Sequence, residues 1–450
     1  ALARNMIELP RHPEYNSLAK PDAPSEYGKR GSARYGRTRL LETLLRYEMW
    51  DEIISASQTV YLEKTTIPDE QAKRLAAVGM ARYALGEGEK GTEILARLDQ
   101  LKQRLEDMKL EAGAKAGADA LNGEKNDKEA EKARADAMKP FDSRIKTVDQ
   151  YRAELLACQA AADKDGDELK KQIAKAGKMS RERKSQLHLQ VGNNEEAVKL
   201  ASQPARAEGQ VQPLANYADI LWRSGRKKEA IEQFKKLREI SAHLDIERAV
   251  FQRLAPIAEN LGLPEDWRVE FQPANDVGER PSLDTLGPFR WSPTHATQWE
   301  LTDGQGKKHT LADYAGRPVI VIFYLGKGCA HCIEQLGTFA PETDRFRQAG
   351  IDLVAISTDD VNGLRETVQQ NKTGSPFPFP LVSDASLNVF KQYRAYDDFE
   401  QQPLHGTFLI DRQSLVRWQD ISYEPFTDVE FLLEESKRLL AQDPPQVTQR

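Results

Sequence analysis

The sequence is poor in cysteine and in long apolar runs, and both shortages limit what the protein can be. Its 450 residues include three cysteines, Cys158, Cys329 and Cys332, too few for the disulfide framework of a small secreted scaffold. The longest apolar run, residues 319–325, has seven residues, whereas a transmembrane helix needs about 20. The sequence therefore predicts no transmembrane segment.

Charge and composition also exclude some classes. The formal net charge is −6 at pH 7, so no general excess of cations exists to attract nucleic acid. With 39% hydrophobic and 30% charged residues, the chain is globular in composition, and its length predicts two or three domains. It begins at Ala1 without an apolar secretory segment, which is compatible with prior removal of a signal peptide or a larger upstream region.

Most of the first 271 residues follow a helical pattern. Residues 1–36 are rich in Pro, Gly, Ser and basic residues, which predicts an extended arm or linker. Residues 37–271 are predicted to form an α-helical repeat domain, interrupted at 102–148 by a segment dominated by Glu, Lys, Asp and Ala. The thin apolar stripe of that segment indicates either a solvated helical hairpin or a partly disordered insertion.

An internal repeat lies near the end of this helical region. The stretch QVGNNEEAVKLA, which contains Gly192 and Ala197, recurs 33 residues later as RSGRKKEAIEQF, which contains Gly225 and Ala230. This shift is close to the roughly 34-residue period of helix-turn-helix solenoids. The pattern resembles tetratricopeptide repeats, and the resemblance implies a protein partner on the concave surface. A spacer or dimerisation scaffold is the other interpretation.

The periodicity changes after a linker predicted at residues 272–285. Residues 286–442 then alternate short strands with helices, which predicts an α/β domain around a mixed sheet, followed by a tail at 443–450. One of the predicted helices runs without a break over residues 332–348. The predicted strands span residues 297–301, 308–311, 319–325, 351–357, 407–410 and 415–418.

Two of the cysteines lie where a predicted strand is followed by a helix. The segment VIVIFYLGKGCAHCIEQL combines a buried-strand pattern, a Gly-rich turn, and then Cys329 and Cys332 at the start of a helix. The first amides of a helix stabilise a thiolate and can lower its pKa from ~8.5 into roughly the 3.5–7.5 range. The pair therefore predicts redox or metal chemistry. Cys158, in a helical apolar pattern, is expected to be a small buried residue.

The whole C-terminal segment resembles a known family. From about residue 286 to 441, WELTDGQGKKHTLADYAGRPVIVIFYLGKGCAHC, DLVAISTDD, FPFPLVSD and HGTFLID occur in the order and spacing of a redoxin domain. The segment looks like the alkyl hydroperoxide reductase/thiol-specific antioxidant (peroxiredoxin-like) branch of the thioredoxin fold. The resemblance implies thiol chemistry without a bound organic cofactor. It also implies a thiol reductant, such as a thioredoxin-like protein, that regenerates the dithiol.

Two alignments of the site assign different nucleophiles. In the thioredoxin alignment, Cys329 attacks a substrate disulfide and Cys332 resolves the mixed disulfide. In the peroxiredoxin alignment, the family's Pro-x-x-x-Thr-x-x-Cys motif falls on Leu325, Cys329 and Cys332. Cys332 would then attack peroxide to give a sulfenic acid, and Cys329 would condense with it.

The sequence departs from both patterns. Leu325 replaces the peroxiredoxin proline, Cys329 replaces the threonine, and His405 stands where an activating arginine is often found. Gly328 replaces the usual tryptophan of thioredoxins, and Gly406 stands where a cis-proline is expected. An intact vicinal dithiol supplies both a nucleophile and a resolving group, so the sequence favours disulfide exchange.

Three further side chains are candidates for supporting roles: His331, His405 and Thr407. His331 lies between the cysteines, where a positive charge would influence the redox potential. His405 is expected beside the thiols if HGTFLID takes the family position. Cys329, Cys332 and His405 also resemble the ligand set of Sco-type copper chaperones, because thiolates with an imidazole suit copper. Those chaperones usually space their cysteines more widely, so thiol chemistry is favoured.

The sequence thus predicts a multidomain protein with a tetratricopeptide-like helical region followed by a thioredoxin-fold domain. The predicted function is thiol–disulfide oxidoreduction through Cys329 and Cys332. The alternatives are a thiol peroxidase with Cys332 as the peroxidatic residue, and a protein-binding scaffold whose redoxin domain is inactive or binds metal. Asp359 and Asp360 are expected to cap the helix that follows them. The resemblance to bacterial envelope proteins favours the periplasm or cell envelope over the cytoplasm.

Overall fold

The structure is a computed structural model that describes residues 1–14, 16, 31–123, 126–177, 179–206, 209–272, 278, 291–369 and 376–442. It divides into two compact units. The helical unit comprises Ala1–Glu8 and Glu14–Thr285, and the sheet unit comprises Leu9–Pro13 and Leu286–Arg450. Most of the linker predicted at 272–285, and the tail predicted at 443–450, lie outside the described residues. No helix among the described residues combines the length and the apolar character that a membrane crossing needs.

The helical unit consists of helices joined mostly by short turns, as predicted. Its described α-helices are α1 Leu2–Glu8, α2 Ser32–Arg46, α3 Trp50–Ala56, α4 Pro68–Ala84, α5 Gly88–Asn122, α6 Asp127–Ala162, α7 Gly166–Lys175, α8 Arg181–Gln190, α9 Asn194–Ser202, α10 Val211–Arg223, α11 Lys227–Glu239, α12 Ala249–Gln252 and α13 Ala255–Asn260.

The extended arm predicted for residues 1–36 is instead helical at both ends, in α1 and at the start of α2. The reason is tertiary packing: Ile7 is 1% exposed, and Gly36 lies so close to α1 that an added Cβ would meet the Ala3 carbonyl oxygen at 2.7 Å. Such contacts stabilise a short helix that has a weak local signal. Residues 15 and 17–30 of the arm lie outside the described residues.

The charged segment at 102–148 lies within two long helices, α5 and α6, which form the helical hairpin that the sequence offered as one interpretation. Ion pairs link Asp99 to Arg152, Lys102 to Asp149 and Lys109 to Asp142. Because the residue numbers of the paired side chains increase along α5 and decrease along α6, the two helices are antiparallel.

The predicted repeat corresponds to two helix pairs, α8–α9 and α10–α11. Gly192 and Gly225 occupy equivalent turns, with φ values of 81° and 82°, and Ala197 and Ala230 are both fully buried in the second helix of each pair. The helical nature of the region is therefore confirmed, whereas membership of the tetratricopeptide class stays a prediction.

The sheet unit has a seven-stranded mixed sheet in the order β2-β1-β5-β4-β3-β8-β9. The β3–β4 and β4–β5 pairs are parallel, and the other pairs are antiparallel. The strands are β1 Glu300–Asp303, β2 Lys308–Thr310, β3 Val319–Tyr324, β4 Asp352–Ser357, β5 Leu381–Ser383, a separate β6 Tyr396–Asp397 and β7 Gln402–Pro403 hairpin, β8 His405–Ile410 and β9 Val416–Ser422. Its described helices are α14 Ala330–Phe339, α15 Thr343–Gln348, α16 Val361–Gln369, α17 Asn388–Gln392 and α18 Val429–Leu440.

The central strand β3 explains the long apolar run of the sequence. Ile320, Ile322 and Tyr324 belong to the hydrophobic core on one face of the sheet, and Val321 and Phe323 belong to the core on the other face. A strand covered on both faces reads as a continuous apolar run. The strand ends at Tyr324, shortly before the cysteine turn.

Three sequence predictions for this unit need correction. The helix predicted at 332–348 is broken between α14 and α15 at Pro341, which has no N–H for the helical ladder. The short β5 and the β6–β7 hairpin were not predicted. Five residues of the predicted arm, Leu9–Pro13, belong to this unit: the Arg11 N–H donates to Glu435 Oε1 (2.7 Å), and the Trp418 indole N–H donates to the Arg11 carbonyl (2.6 Å).

Candidate active site

The cysteine turn is held at the carboxyl end of β3. Gly326 has φ +87°, a value that favours glycine, and reverses the chain after the strand. The Lys327 N–H donates to Asp359 Oδ2 (2.7 Å), which ties the turn to the end of the neighbouring strand β4. Cys329 then forms the N-cap of α14.

The two cysteines differ in their access to solvent. They form a disulfide with their Cα atoms 5.3 Å apart; Cys332 is fully buried, and Cys329 is half-buried. The Cys332 N–H donates to Cys329 Sγ at 3.2 Å, the usual contact of an N-cap side chain with the third helical residue. In the reduced protein this amide would stabilise a thiolate on Cys329.

Hydrogen-bond donors and His405 surround both sulfur atoms. The Leu325 N–H donates to Cys332 Sγ at 3.2 Å. His405 Nε2 lies 3.2 Å from Cys332 Sγ and 3.6 Å from Cys329 Sγ. The structure thus places His405 beside the thiols, where the sequence expected it.

His405 is itself almost fully buried. Burial lowers its pKa, against the opposing influence of the Tyr423 backbone and the Glu424 carboxylate. Its Nδ1 has no hydrogen-bond partner in the described part of the chain. A neutral imidazole that carries its proton on Nε2 can therefore donate one hydrogen bond to a thiolate at neutral pH.

The other sequence-predicted side chains take different positions. His331 is exposed, and its Nδ1 lies 3.3 Å from Glu424 Oε2 rather than against either sulfur. Thr407 is buried on β8, where its hydroxyl accepts a hydrogen bond from Gln335 Nε2 (3.4 Å).

The copper hypothesis has a plausible donor set. Ligand atoms of Cys329, Cys332 and His405 all lie within 4.8 Å of one another. Two thiolates and an imidazole are suitable copper ligands. The set fits the metal only after reduction, because in the disulfide the two sulfur atoms are bonded to each other.

Sequence reasoning missed the role of Gln335. This side chain is fully buried three residues after Cys332, and its Nε2 donates to the Phe426 carbonyl at 2.9 Å as well as to Thr407. It links α14 to β8 and to the segment after β9. A polar residue on the otherwise buried face of the site helix is the signal that could have found it.

Asp359 was given the wrong role. Only Asp360 caps the next helix, accepting the Gly363 N–H at 2.8 Å. Asp359 instead holds the cysteine turn, and an added Cβ at Gly326 would meet its Oδ1 at 2.5 Å. The available signal was topological, because the ends of adjacent parallel strands lie side by side.

Comparison with known proteins places this site in a family context. Residues 293–419 match the model of the AhpC/TSA family. The chain is 30% identical over 124 residues to chloroplastic peroxiredoxin Q of Oryza sativa subsp. japonica, covering 27% of this chain and 55% of the relative. It is 27% identical over 111 residues to a peroxiredoxin of Thermoplasma volcanium, covering 24% and 55%. The chain thus spans about half the length of the curated relatives it matches.

Solved structures are matched over about a third of this chain and over nearly their whole length. Peroxidoxin BcpB of Mycobacterium tuberculosis is 22% identical, with a TM-score of 0.30, over 34% of this chain and 97% of that chain. AhpC of Mycobacterium bovis is 15% identical, with a TM-score of 0.31, over 36% and 100%. On the sequence match, the C-terminal region of this protein carries an AhpC/TSA, peroxiredoxin-like redoxin domain.

Proposed function

We propose that this redoxin domain is a thiol–disulfide oxidoreductase that acts through Cys329 and Cys332. The observation that carries the proposal is the unequal pair at the start of α14: a half-buried Cys329 bonded to a fully buried Cys332. A substrate disulfide can approach the first sulfur but not the second. Cys329 is therefore assigned as the attacking thiol and Cys332 as the resolving thiol.

The proposed reaction uses the two cysteines in consecutive steps. In the reduced enzyme the Cys329 thiolate attacks one sulfur of the substrate disulfide, and the other substrate sulfur leaves as a thiolate that takes up a proton. Cys332 then loses its proton and attacks Cys329 Sγ, which releases the second substrate thiol and forms the Cys329–Cys332 disulfide. The substrate gains two electrons and two protons, and a thiol reductant, proposed to be thioredoxin-like, restores the dithiol without an organic cofactor.

The surrounding groups have defined parts in this scheme. The Cys332 amide stabilises the Cys329 thiolate, and the Leu325 amide and His405 Nε2 stabilise the Cys332 thiolate when it forms. Gln335 and Thr407 are proposed as positioning residues. His331 is proposed to influence the site only through charge, because it is exposed.

A thiol peroxidase with Cys332 as the peroxidatic residue is the second candidate. Cys332 Sγ has two neighbouring donor groups, and the matched relatives are named peroxiredoxins. The Cys332 thiolate would displace water or an alcohol from peroxide and become a sulfenic acid, and the Cys329 thiol would condense with it, releasing water. Leu325, Cys329 and His405 occupy the positions of the family's proline, threonine and arginine, so this candidate lacks the usual peroxide-orienting groups.

Substitution of each cysteine in turn separates the two candidate functions. Disulfide reduction and peroxide consumption are measured for the wild type, Cys329→Ser and Cys332→Ser. We expect the wild type to reduce disulfides and both variants to lose turnover. Rapid peroxide turnover by Cys329→Ser, together with no disulfide reduction by the wild type, would favour the peroxidase. If neither substitution alters either rate, the redoxin domain is an inactive part of a scaffold.

We also propose that the helical region, residues 37–271, is tetratricopeptide-like and binds a protein partner. The equivalent turns at Gly192 and Gly225 support the repeat. We propose residues 37–271 and 286–442 as the limits of the two domains. A chain cut within 272–285 tests the limits: each piece should give a cooperative unfolding transition of its own.

A further inference from the structure

A strongly basic cavity lies in the helical unit, outside the repeated helix pairs. It has a volume of about 1020 Å³ and lies between the loop before α4 and the sides of α5 and α6. None of its described lining residues is acidic, although the chain has a net charge of −6. Its basic lining residues are Lys64, Arg74, Arg97, Arg104 and Arg144.

Elsewhere on the same hairpin, several charges are paired across the two helices. Asp99 and Lys102 of α5 form ion pairs across to α6, the latter with Asp149 at 2.8 Å. By contrast, Arg97 and Arg104, on the cavity side of the same helix, have no acidic partner within the described part of the chain. Arg97 and Arg104 therefore bring two unpaired positive charges to the cavity lining.

The cations are also held close together. Arg74 is 6% exposed and is fixed by the backbone carbonyls of Leu62 (2.6 Å) and Ser57 (2.8 Å). Burial, and secondarily the nearby Arg97, lowers the pKa of Arg74. Arg97 and Arg104 add uncompensated positive charge beside the other lining cations, and such a cluster is more typical of a binding site than of a structural one.

The remaining lining residues are apolar or neutral polar, and the cavity is elongated. Its apolar side chains are Leu75, Leu101, Leu105, Met108 and Phe141. Along α5 the cavity runs from residue 97 to residue 108, which corresponds to about 16 Å at 1.5 Å per residue. Pro140, in the α6 wall, lacks the N–H of a regular helical residue, which interrupts the ladder of α6 beside the cavity.

We propose that this cavity binds an extended acidic segment of a partner polypeptide that carries at least one large apolar side chain. This inference rests on the proposed protein-binding role of the helical region and names the chemistry of the partner. About five extended residues span 16 Å. A compact anion would reach only one end of the cavity, and a polyphosphate would leave the apolar lining uncovered.

Calorimetric titration of the full chain with the synthetic peptide acetyl-Asp-Leu-Glu-Phe-Asp-amide tests the proposal. The double substitution Arg97→Glu/Arg104→Glu should weaken binding at least about tenfold, because it reverses the charge that faces the peptide. The control Lys115→Glu/Lys132→Glu makes the same charge change at exposed sites of α5 and α6 outside the cavity lining, and should change the affinity less than about twofold. All four side chains are exposed, and circular dichroism checks that both variants fold.

A second variant tests the apolar contact. Met108 is 43% exposed, so Met108→Ala should fold normally while weakening peptide binding about fivefold. Short-chain polyphosphate, tested in parallel, should bind more weakly than the peptide and should not respond to Met108→Ala.

Several outcomes would overturn the proposal: no peptide binding, equal loss in the Lys115/Lys132 control, or polyphosphate binding as tight as that of the peptide. The probe contains no cysteine, so these outcomes leave the thiol chemistry untouched. Conversely, Arg97→Glu/Arg104→Glu should reduce a small disulfide at the wild-type rate.

Discussion

Each unit of this protein buries a cysteine, but the two cysteines have opposite surroundings. Cys158 lies within α6, 2% exposed, and burial raises its pKa despite Arg183 Nη2 at 3.9 Å. Cys332 is equally buried, but it lies in the first turn of a helix with an amide and an imidazole beside its sulfur. Burial alone therefore does not determine whether a thiol is reactive; the available hydrogen-bond donors and a vicinal partner do.

The largest expected difference between the two regions is in thiol reactivity. In the reduced protein at pH 7, Cys329 should react with iodoacetamide at least about a hundredfold faster than Cys158. Mass spectrometry of quenched samples measures both rates in one chain. Unfolding in denaturant should bring the rates together, and equal rates in the folded protein would remove the contrast.

The next effect concerns two buried histidines, one in each unit. His405→Asn removes the imidazole from the sulfur atoms, so the pKa of Cys332 in the reduced protein should rise. The resolving step, and with it disulfide reduction at pH 7, should slow about tenfold, because a hydrogen bond to a charged group contributes roughly 1.5–3 kcal/mol. Thiolate absorbance against pH measures the pKa. The control is His188→Asn in the helical unit, where His188 is 3% exposed and no thiol is involved. An unchanged thiol pKa in His405→Asn would contradict the assigned contact.

A smaller effect separates two left-handed glycines. Gly225→Ala, in the helical unit, should cost about 1–2 kcal/mol of unfolding free energy from backbone strain alone, because its Cβ meets nothing within 4 Å. Gly326→Ala has the same strain and must also displace Asp359, so it should cost more and slow disulfide reduction. Chemical denaturation and the activity assay measure the two losses; equal losses with unchanged activity would argue against the role of Asp359.

The smallest effect is a difference in pH response. Burial disfavours the ionised form of Glu48, but the hydrogen bonds from Arg253 (2.7 and 2.9 Å) outweigh burial and lower the pKa of Glu48. The ionised Glu48 therefore stabilises the helical unit above about pH 4.5. This stabilisation is lost as the pH falls through the lowered pKa. The lowered pKa of His405 means that the unfolded chain takes up the proton first, so the sheet unit loses stability below about pH 6.5. Each change should be smaller than the loss expected for either glycine substitution.

Hydrogen exchange of peptides from each unit between pH 7 and about pH 3, corrected for the intrinsic exchange rate at each pH, resolves these two responses. Glu48→Gln should flatten only the response of the helical unit, and His405→Asn only that of the sheet unit. Loss of protection in both units over one common pH range would contradict the assignment.

The same contrast explains what could be predicted from the sequence. The strand β3, the cysteine turn and the α5–α6 hairpin are encoded locally, by an apolar run, glycines and helical periodicity. Asp359 and Gln335 could not be assigned their roles, because their contacts join segments that lie far apart in the sequence. The helix α1 was missed for the same reason, since packing around Ile7 and Gly36 stabilises it rather than local propensity.

The central claim is that Cys329 attacks first and Cys332 resolves. The most direct test is to mix the reduced Cys332→Ala variant with a disulfide-bonded peptide, quench with acid and locate the adduct by mass spectrometry. The account predicts one equivalent of mixed disulfide on Cys329, and none in the matched Cys329→Ala variant. An adduct that forms on Cys332 in Cys329→Ala, with none on Cys329 in Cys332→Ala, would contradict it.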